Sequence, residues 1–337
     1  MKTIRKATLA AAVAATIGLG ASGQAAASIY AGSALDIQNL NVALVNPTQG
    51  TAITSFVFTE KNTATLNGVN SPTQSASCGG LPGIPGGSTN NCNGALPRLD
   101  ALAANAPGGT VVRANNDFSY FGPGSDIYSN SDSVITQAEL TLDGPTATRQ
   151  IAESEIQGSG DGSSNAEITS NTGFTMAFTV SGTGGLNVSF QADPYLRSVI
   201  SALNFLNGNA QSNINTSFSL TNGSGAQVTW TPNGTQGNDC TVDAALAGVT
   251  CVETNDGEDL NRNLSTSSNN TDFNYSLGAG FSNFGISIAG LTDGTWTLAF
   301  NAVTSNSVRA QVPEPGMLSL LGIGLMGLGY SRRRKVS

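Results

Sequence analysis

The chain contains no histidine. That absence excludes the Ser-His-Asp triad, the Cys-His nucleophile pair and every histidine-ligated metal site, and it removes the commonest general base. Charge is scarce too. Asp, Glu, Lys and Arg make up 11% of the 337 residues, against roughly 25% in an ordinary soluble domain. Asn, Ser, Thr and Gly take their place and give a polar, uncharged surface. Basic residues are the scarcest. Seven of the 14 lie at the two ends, and the remainder are Lys61, Arg98, Arg113, Arg149, Arg197, Arg262 and Arg309. Without residues 1–27 and the tail from Val312, seven basic residues face 21 acidic ones, a net charge of −14. Nucleic acid and anionic lipid both require a basic footprint, so neither is an expected partner. Cations and neutral glycans remain compatible.

Long apolar runs are also missing. The run at residues 316–330 has 15 residues, five of them glycine (Gly316, Gly322, Gly324, Gly327 and Gly329). As a helix it would reach about 22 Å, short of a hydrocarbon core of roughly 30 Å. At the other end, Lys2, Arg5 and Lys6 precede an apolar stretch at residues 7–19 and a small-residue site at Ala25-Ala26-Ala27. This is the pattern of a secretory signal peptide, residues 1–27, handled by the general secretion machinery and signal peptidase.

The C-terminal stretch, residues 312–337, has three parts. Val312-Pro313-Glu314-Pro315 comes first, the marginal apolar run second, and Arg332, Arg333, Arg334 and Lys335 last. The basic cluster stays cytoplasmic by the positive-inside rule, which puts everything before Pro313 across the membrane. An ordinary membrane anchor would explain the run and the cluster but gives no reason for the Pro-Glu-Pro. The three parts in this order resemble the PEP-CTERM sorting signal of exosortase substrates. The resemblance implies an inner-membrane-tethered intermediate, recognition by the exosortase (a membrane-embedded cysteine transpeptidase), loss of the tail, and release to or attachment at the cell surface. Membrane contact is then through the tail alone, before processing.

Between the two ends, the length suits one large β domain, residues 28–311, or two smaller ones, 28–172 and 173–311. Leu35 and Ile37, then Val42 and Leu44, alternate around a break at Asn39-Leu40, and residues 53–59 read as a strand. Residues 67–107, dense in Gly, Pro, Ser and Asn, read as a surface loop, and residues 110–121 as a strand. Val134, Ala138, Leu140 and Leu142 read as a strand that pairs with residues 151–157. Three hairpins with one apolar face each are expected: Phe174–Val180 with Leu186–Ala192, Phe218–Leu220 with Val228–Trp230, and Phe284–Ile288 with Trp296–Phe300. Asp193, Pro194 and Gly208 frame a short helix with Leu196, Val199, Ile200, Leu203 and Leu206 on one face. The expected fold is all-β: an antiparallel β-sandwich or jelly-roll-like domain with disulfide-stapled loops, one short helix and cleaved terminal segments. Residues 186–196, 227–230 and 291–298 are similar to a recurring group of PEP-CTERM surface proteins, which implies the same sandwich at the cell surface or in the extracellular matrix.

The four cysteines, Cys78, Cys92, Cys240 and Cys251, allow three disulfide connectivities, of which the two local pairs are simplest. Neither spacing is that of a zinc site. The best acidic cluster is Glu253, Asp256, Glu258 and Asp259. Carboxylates on a loop suit calcium, although Asn255-Asp256-Gly257 is also an ordinary turn. No other cofactor is implied. Nothing fixes two carboxylates at a hydrolase-like separation. Trp230 and Trp296 alternate with apolar neighbours and read as core rather than as sugar platforms. The expected role is a non-catalytic surface or matrix protein. The alternative is a carbohydrate- or calcium-binding module in contact with extracellular polysaccharide.

Overall fold

Alternation of apolar and polar residues dictates which face of each strand is buried, and the computed structural model shows two sheets built on that rule. It describes residues 27–45, 52–80, 92, 98–136, 146–158, 164–201, 207–237, 239–276 and 278–311. Residues 1–26 of the expected signal peptide, the tail from Val312, and Ala138, Leu140 and Leu142 lie outside these residues.

In chain order the strands are β1 (Ala27–Val45), β2 (Ala52–Leu66), β3 (Val69–Asn70), β4 (Gln74–Gly80), β5 (Arg98–Leu99), β6 (Ala104–Asn105), β7 (Tyr128–Thr136), β8 (Thr146–Gly158), β9 (Ser164–Val180), β10 (Gly184–Ile200), β11 (Asn207–Asn222), β12 (Gln227–Trp230), β13 (Cys240–Val242), β14 (Thr250–Asp256), β15 (Asn263–Thr266), β16 (Thr271–Tyr275), β17 (Ser282–Leu291) and β18 (Gly294–Gln311). One sheet runs β14-β17-β10-β1-β8-β7-β5, with β16 on β10 and β6 on β7; the other runs β13-β12-β11-β18-β9-β2-β3, with β15 on β11 and β4 on β2. Every pairing is antiparallel. The expected break in β1 is a register shift between Gln38 and Asn41, with Asn39 in the left-handed region at φ 57°. The boundary at residue 172 falls inside β9, and β1 pairs β10 while β2 pairs β9, so both halves contribute to both sheets.

Two of the three expected hairpins are not hairpins. β11 and β12 do pair, Phe218 opposite Trp230. β9 and β10, by contrast, belong to opposite sheets, as do β17 and β18. Their connections are arches that carry the chain from one sheet to the other. The reason lies in what alternation encodes: it fixes the buried face, not the hydrogen-bonded neighbour. A glycine-rich turn such as residues 181–185 serves an arch as well as a hairpin.

The helix expected after Asp193 is also absent, because residues 193–200 continue β10. Leu196, Ser198 and Ile200 are each 0% exposed, a period of two. Ser198 at an inward position concealed that period. Its hydroxyl is paired with Ser212 Oγ at 3.0 Å and donates to the Leu264 carbonyl at 3.0 Å. Pro194 is tolerated because on one side the ladder is interrupted, between Ala192–Ser282 and Leu196–Tyr275. Leu203 and Leu206 lie outside the described residues.

The main core lies between the sheets. Phe174 stacks on Phe300 at 5.7 Å, Phe190 on Phe284 at 5.1 Å, and Phe190 meets Trp230 at 6.0 Å between centroids. Both tryptophans are buried, as alternation implies. Toward the start of β1 the interior changes to small side chains: Ala31, Ala64, Ala152, Ala166, Ala210 and Ala310.

Residues 110–121, expected as a strand, form no strand. Side chains take the place of a neighbouring ladder. Asn105 accepts from the Arg113 amide at 2.8 Å and donates to its carbonyl at 3.0 Å, and Asn130 donates to the Val111 carbonyl. This segment covers the outer face of the first sheet, with Tyr120 against Tyr195 at 4.3 Å and Phe118 packed by Ala34 and Ile151. β7 is therefore buried on both faces. The stretch read as one long loop, residues 67–107, contains β3 to β6, and Cys78 sits in β4.

Candidate functional site

β13 and β14 are the last strands of the two sheets along the same lateral edge. The disulfide Cys240–Cys251 joins them with Cα atoms 5.9 Å apart, and Cys78–Cys92 is the second pair, so the connectivity is the local one. On β14, alternation turns Cys251 and Glu253 inward. A register shift between Glu253 and Asn255 then inserts a bulge, and Asp256 rather than Asn255 is buried. Bulges re-aim side chains in this way. The consequence is that two carboxylates three positions apart point into the same space.

Asp239, immediately before Cys240, completes the group. Carboxylate oxygens of Asp239, Glu253 and Asp256 all lie within 4.8 Å of one another. Glu253 is held from both sides: its Oε1 accepts from Trp230 Nε1 at 2.6 Å, and its Oε2 from the Gly237 amide at 3.0 Å. Asp256 Oδ2 accepts from the amides of Asn233 and Gly234, both at 2.9 Å. Gly234 has φ 79°, and a Cβ there would lie 2.7 Å from the Asp259 amide nitrogen, so this cradle needs glycine. Burial holds the Asp256 carboxyl above its ordinary range despite those amides, and the charges of Glu253 and Asp239 push it the same way.

The four acids singled out in the sequence therefore separate. Glu253 and Asp256 join Asp239. Glu258 and Asp259 instead line a neighbouring open cleft with Arg262 and Tyr275. Glu258 accepts from Ser282 at 3.2 Å, and Asp259 lies 3.7 Å from Arg262. Asp239 was missed because it is 14 positions from Glu253 in sequence. The Cys240–Cys251 pairing is the signal that would have found it.

Other buried acids have structural partners or carry protons. Glu153 forms a buried ion pair with Arg113 and accepts from Tyr30 Oη at 2.6 Å and the Phe121 and Gly122 amides at 3.1 Å each. Arg113 also lies 4.2 Å over the Phe121 ring. This network fastens the 110–121 segment to the sheet. Glu60 is 1% exposed with no side-chain partner, and burial pushes its carboxyl up to about 9. Asp132, which accepts from the Asp117 amide at 3.0 Å, is pushed up to about 6 by burial.

A family model described as the PEP-CTERM protein-sorting motif matches residues 311–335. That match takes in Val312, Pro313, Glu314, Pro315 and the cluster from Arg332 to Lys335. No match was found among curated proteins or among solved structures. No helix among the described residues is long and apolar enough to cross a membrane.

Proposed function

We infer that the motif at residues 311–335 marks the chain for export, with a membrane-anchored C-terminal intermediate and then exosortase processing to the cell surface or the extracellular space. From this premise we propose that the protein is a non-catalytic component of the cell surface or of the extracellular polysaccharide matrix, such as that of a biofilm. The sorting motif carries the reading. The sandwich supports it in two ways. Its interior is closed by arches and by two disulfides, which suits an oxidising exterior. The buried carboxylates Glu253, Asp256 and Glu153 are held by amides, by Trp230 or by Arg113 rather than arrayed in an open cleft. A sugar platform built on tryptophan gains no support, since both rings are core.

The test is the intact mass of the protein recovered from surface and medium fractions of cells that express it. A chain beginning at Ser28 and ending near Pro313 outside the cell is the expected result. A chain that keeps residues 316–337 in the membrane fraction would make the tail a plain anchor and overturn the reading. Replacing Arg332, Arg333, Arg334 and Lys335 by Gln together should block processing and leave precursor behind.

A further inference from the structure

The seven basic residues between the two ends are accounted for elsewhere. Arg98, Arg113, Arg149, Arg197, Arg262 and Arg309 form ion pairs with Asp100, Glu153, Asp36, Asp272, Asp259 and Glu167. Lys61 lies on β2, separated from the β13 edge by four strands. No ion pair among the described residues reaches Asp239, Glu253 or Asp256. Yet Glu253 and Asp256 are 6% and 7% exposed. Three carboxylates at this spacing, two of them buried, need protons or a cation from outside the chain.

The hydrogen bonds favour a cation. Glu253 and Asp256 are fixed by donors, as ionised carboxylates are: Trp230 and three backbone amides all point hydrogen at them. Two of the three acids keep an oxygen without a partner. Asp256 Oδ1 and Asp239 Oδ2 are buried and have no hydrogen bond. Asp256 is thus a side chain more than nine-tenths buried with one oxygen held by two amides and the other unpaired. Two oxygens held about 2.4 Å from one ion lie no more than about 4.8 Å apart, and the three carboxylates meet that condition.

We infer that Asp239, Glu253 and Asp256 form a binding site for a hard divalent cation, Ca²⁺ in the extracellular setting. The donor set is carboxylate oxygen alone. The absence of histidine and of free cysteine leaves nothing that would select a softer metal. The ion would bridge β14 of one sheet to the residue that leads into β13 of the other, beside the disulfide that links the same two strands. It would act as a second, reversible clasp on that edge. Glu258 and Asp259, on the far side of Asn233-Gly234, are not ligands. The site does not depend on how the tail is processed.

The test takes the exported protein, stripped with EDTA, and titrates it with CaCl₂ by calorimetry and with Tb³⁺ by luminescence. Trp230, bonded to Glu253, is positioned to sensitise the bound lanthanide. One ion per chain is expected, with a melting temperature that rises with Ca²⁺. Asp256→Asn should weaken binding at least tenfold and abolish the Tb³⁺ signal. Without Ca²⁺ this variant should melt no lower than the parent, because an amide oxygen still accepts from Asn233 and Gly234 while one like charge is gone. Asp239→Asn, at the half-buried position, gives the same reading should Asp256→Asn fail to fold. Glu258→Gln should bind as the parent does. No uptake at about 10 mM Ca²⁺, tenfold beyond the weakest extracellular modules, would overturn the site and leave protons as the neutralising charge. Uptake unchanged in both Asp239→Asn and Asp256→Asn would also overturn it, by putting the ion elsewhere.

Discussion

Glu60 makes stability depend on pH in a direction opposite to most carboxylates. It lies on β2, buried, with no side-chain partner for its carboxylate. Desolvation raises its carboxyl from 4.5 to about 9, with Asp132 and Asp100 adding to the rise and the Ile135 amide and Arg98 opposing it. The folded protein therefore keeps a proton that the unfolded chain releases above pH 4.5. Its contribution is fully present below pH 4.5, declines through the interval, and is gone above about 9. The limiting slope is about 1.4 kcal/mol per pH unit, so between pH 4.5 and 7 the loss reaches about 3 kcal/mol. Glu60→Gln keeps the shape and cannot ionise. Urea unfolding of both proteins from pH 5 to 8.5 is the assay. The variant should lie close to the parent near pH 5 and exceed it by a few kcal/mol near pH 8. Asp132, pushed up to about 6, tilts both curves alike, so the difference between them isolates Glu60. Parallel profiles would refute the reasoning, since they would mean that Glu60 titrates equally in both states.

Arg113→Ala should cost about 3–5 kcal/mol, because it leaves Glu153 charged and buried without its cation. The same change should free the 110–121 segment, read as new sites of limited proteolysis there before global unfolding. Trp230→Phe keeps the ring in the core but strips Glu253 of the 2.6 Å donor. A loss of about 1–3 kcal/mol in chemical denaturation is expected, and a neutral result would mean the indole N–H is dispensable.

Much of the sandwich was legible in the sequence because it rests on one-residue alternation. Phe174 to Val180 and Leu186 to Ala192 announce two strands with buried faces whatever surrounds them. Their partners were not legible: the sheet to which each strand belongs is set by long-range pairing, such as Ile53–Phe178 and Ala31–Ser198. The helix error has a local cause. Buried Ser198 and Ser212 satisfy each other, and a polar residue at a core position breaks the pattern that reveals a strand. At the acidic edge, Glu253 and Asp256 were visible as neighbours in sequence. The bulge that turns both inward, and the disulfide that brings Asp239 to them, are properties of the fold. Arg113 gave no sign of being the buried anchor of a covering segment, because nothing nearby in sequence marks Glu153 as its partner.

The alanine-rich end of the sandwich has a geometric consequence. β1 begins at Ala27 beside Gly158, and β18 ends at Gln311 beside Asn207. Ile29 and Ala310 share the same small cluster, so the chain enters and leaves at one end. The sorting motif starts at Val312, the residue after β18, with no spacer between strand and motif. Whatever grips the tail therefore grips this end of the sheets. Glu253 lies opposite Ile286 and Val188, 12 positions along β10 from Ile200, which faces Ile29. At strand rise that separation is about 40 Å. Glu253 therefore lies far along the sheets from the end at which the chain runs into the motif.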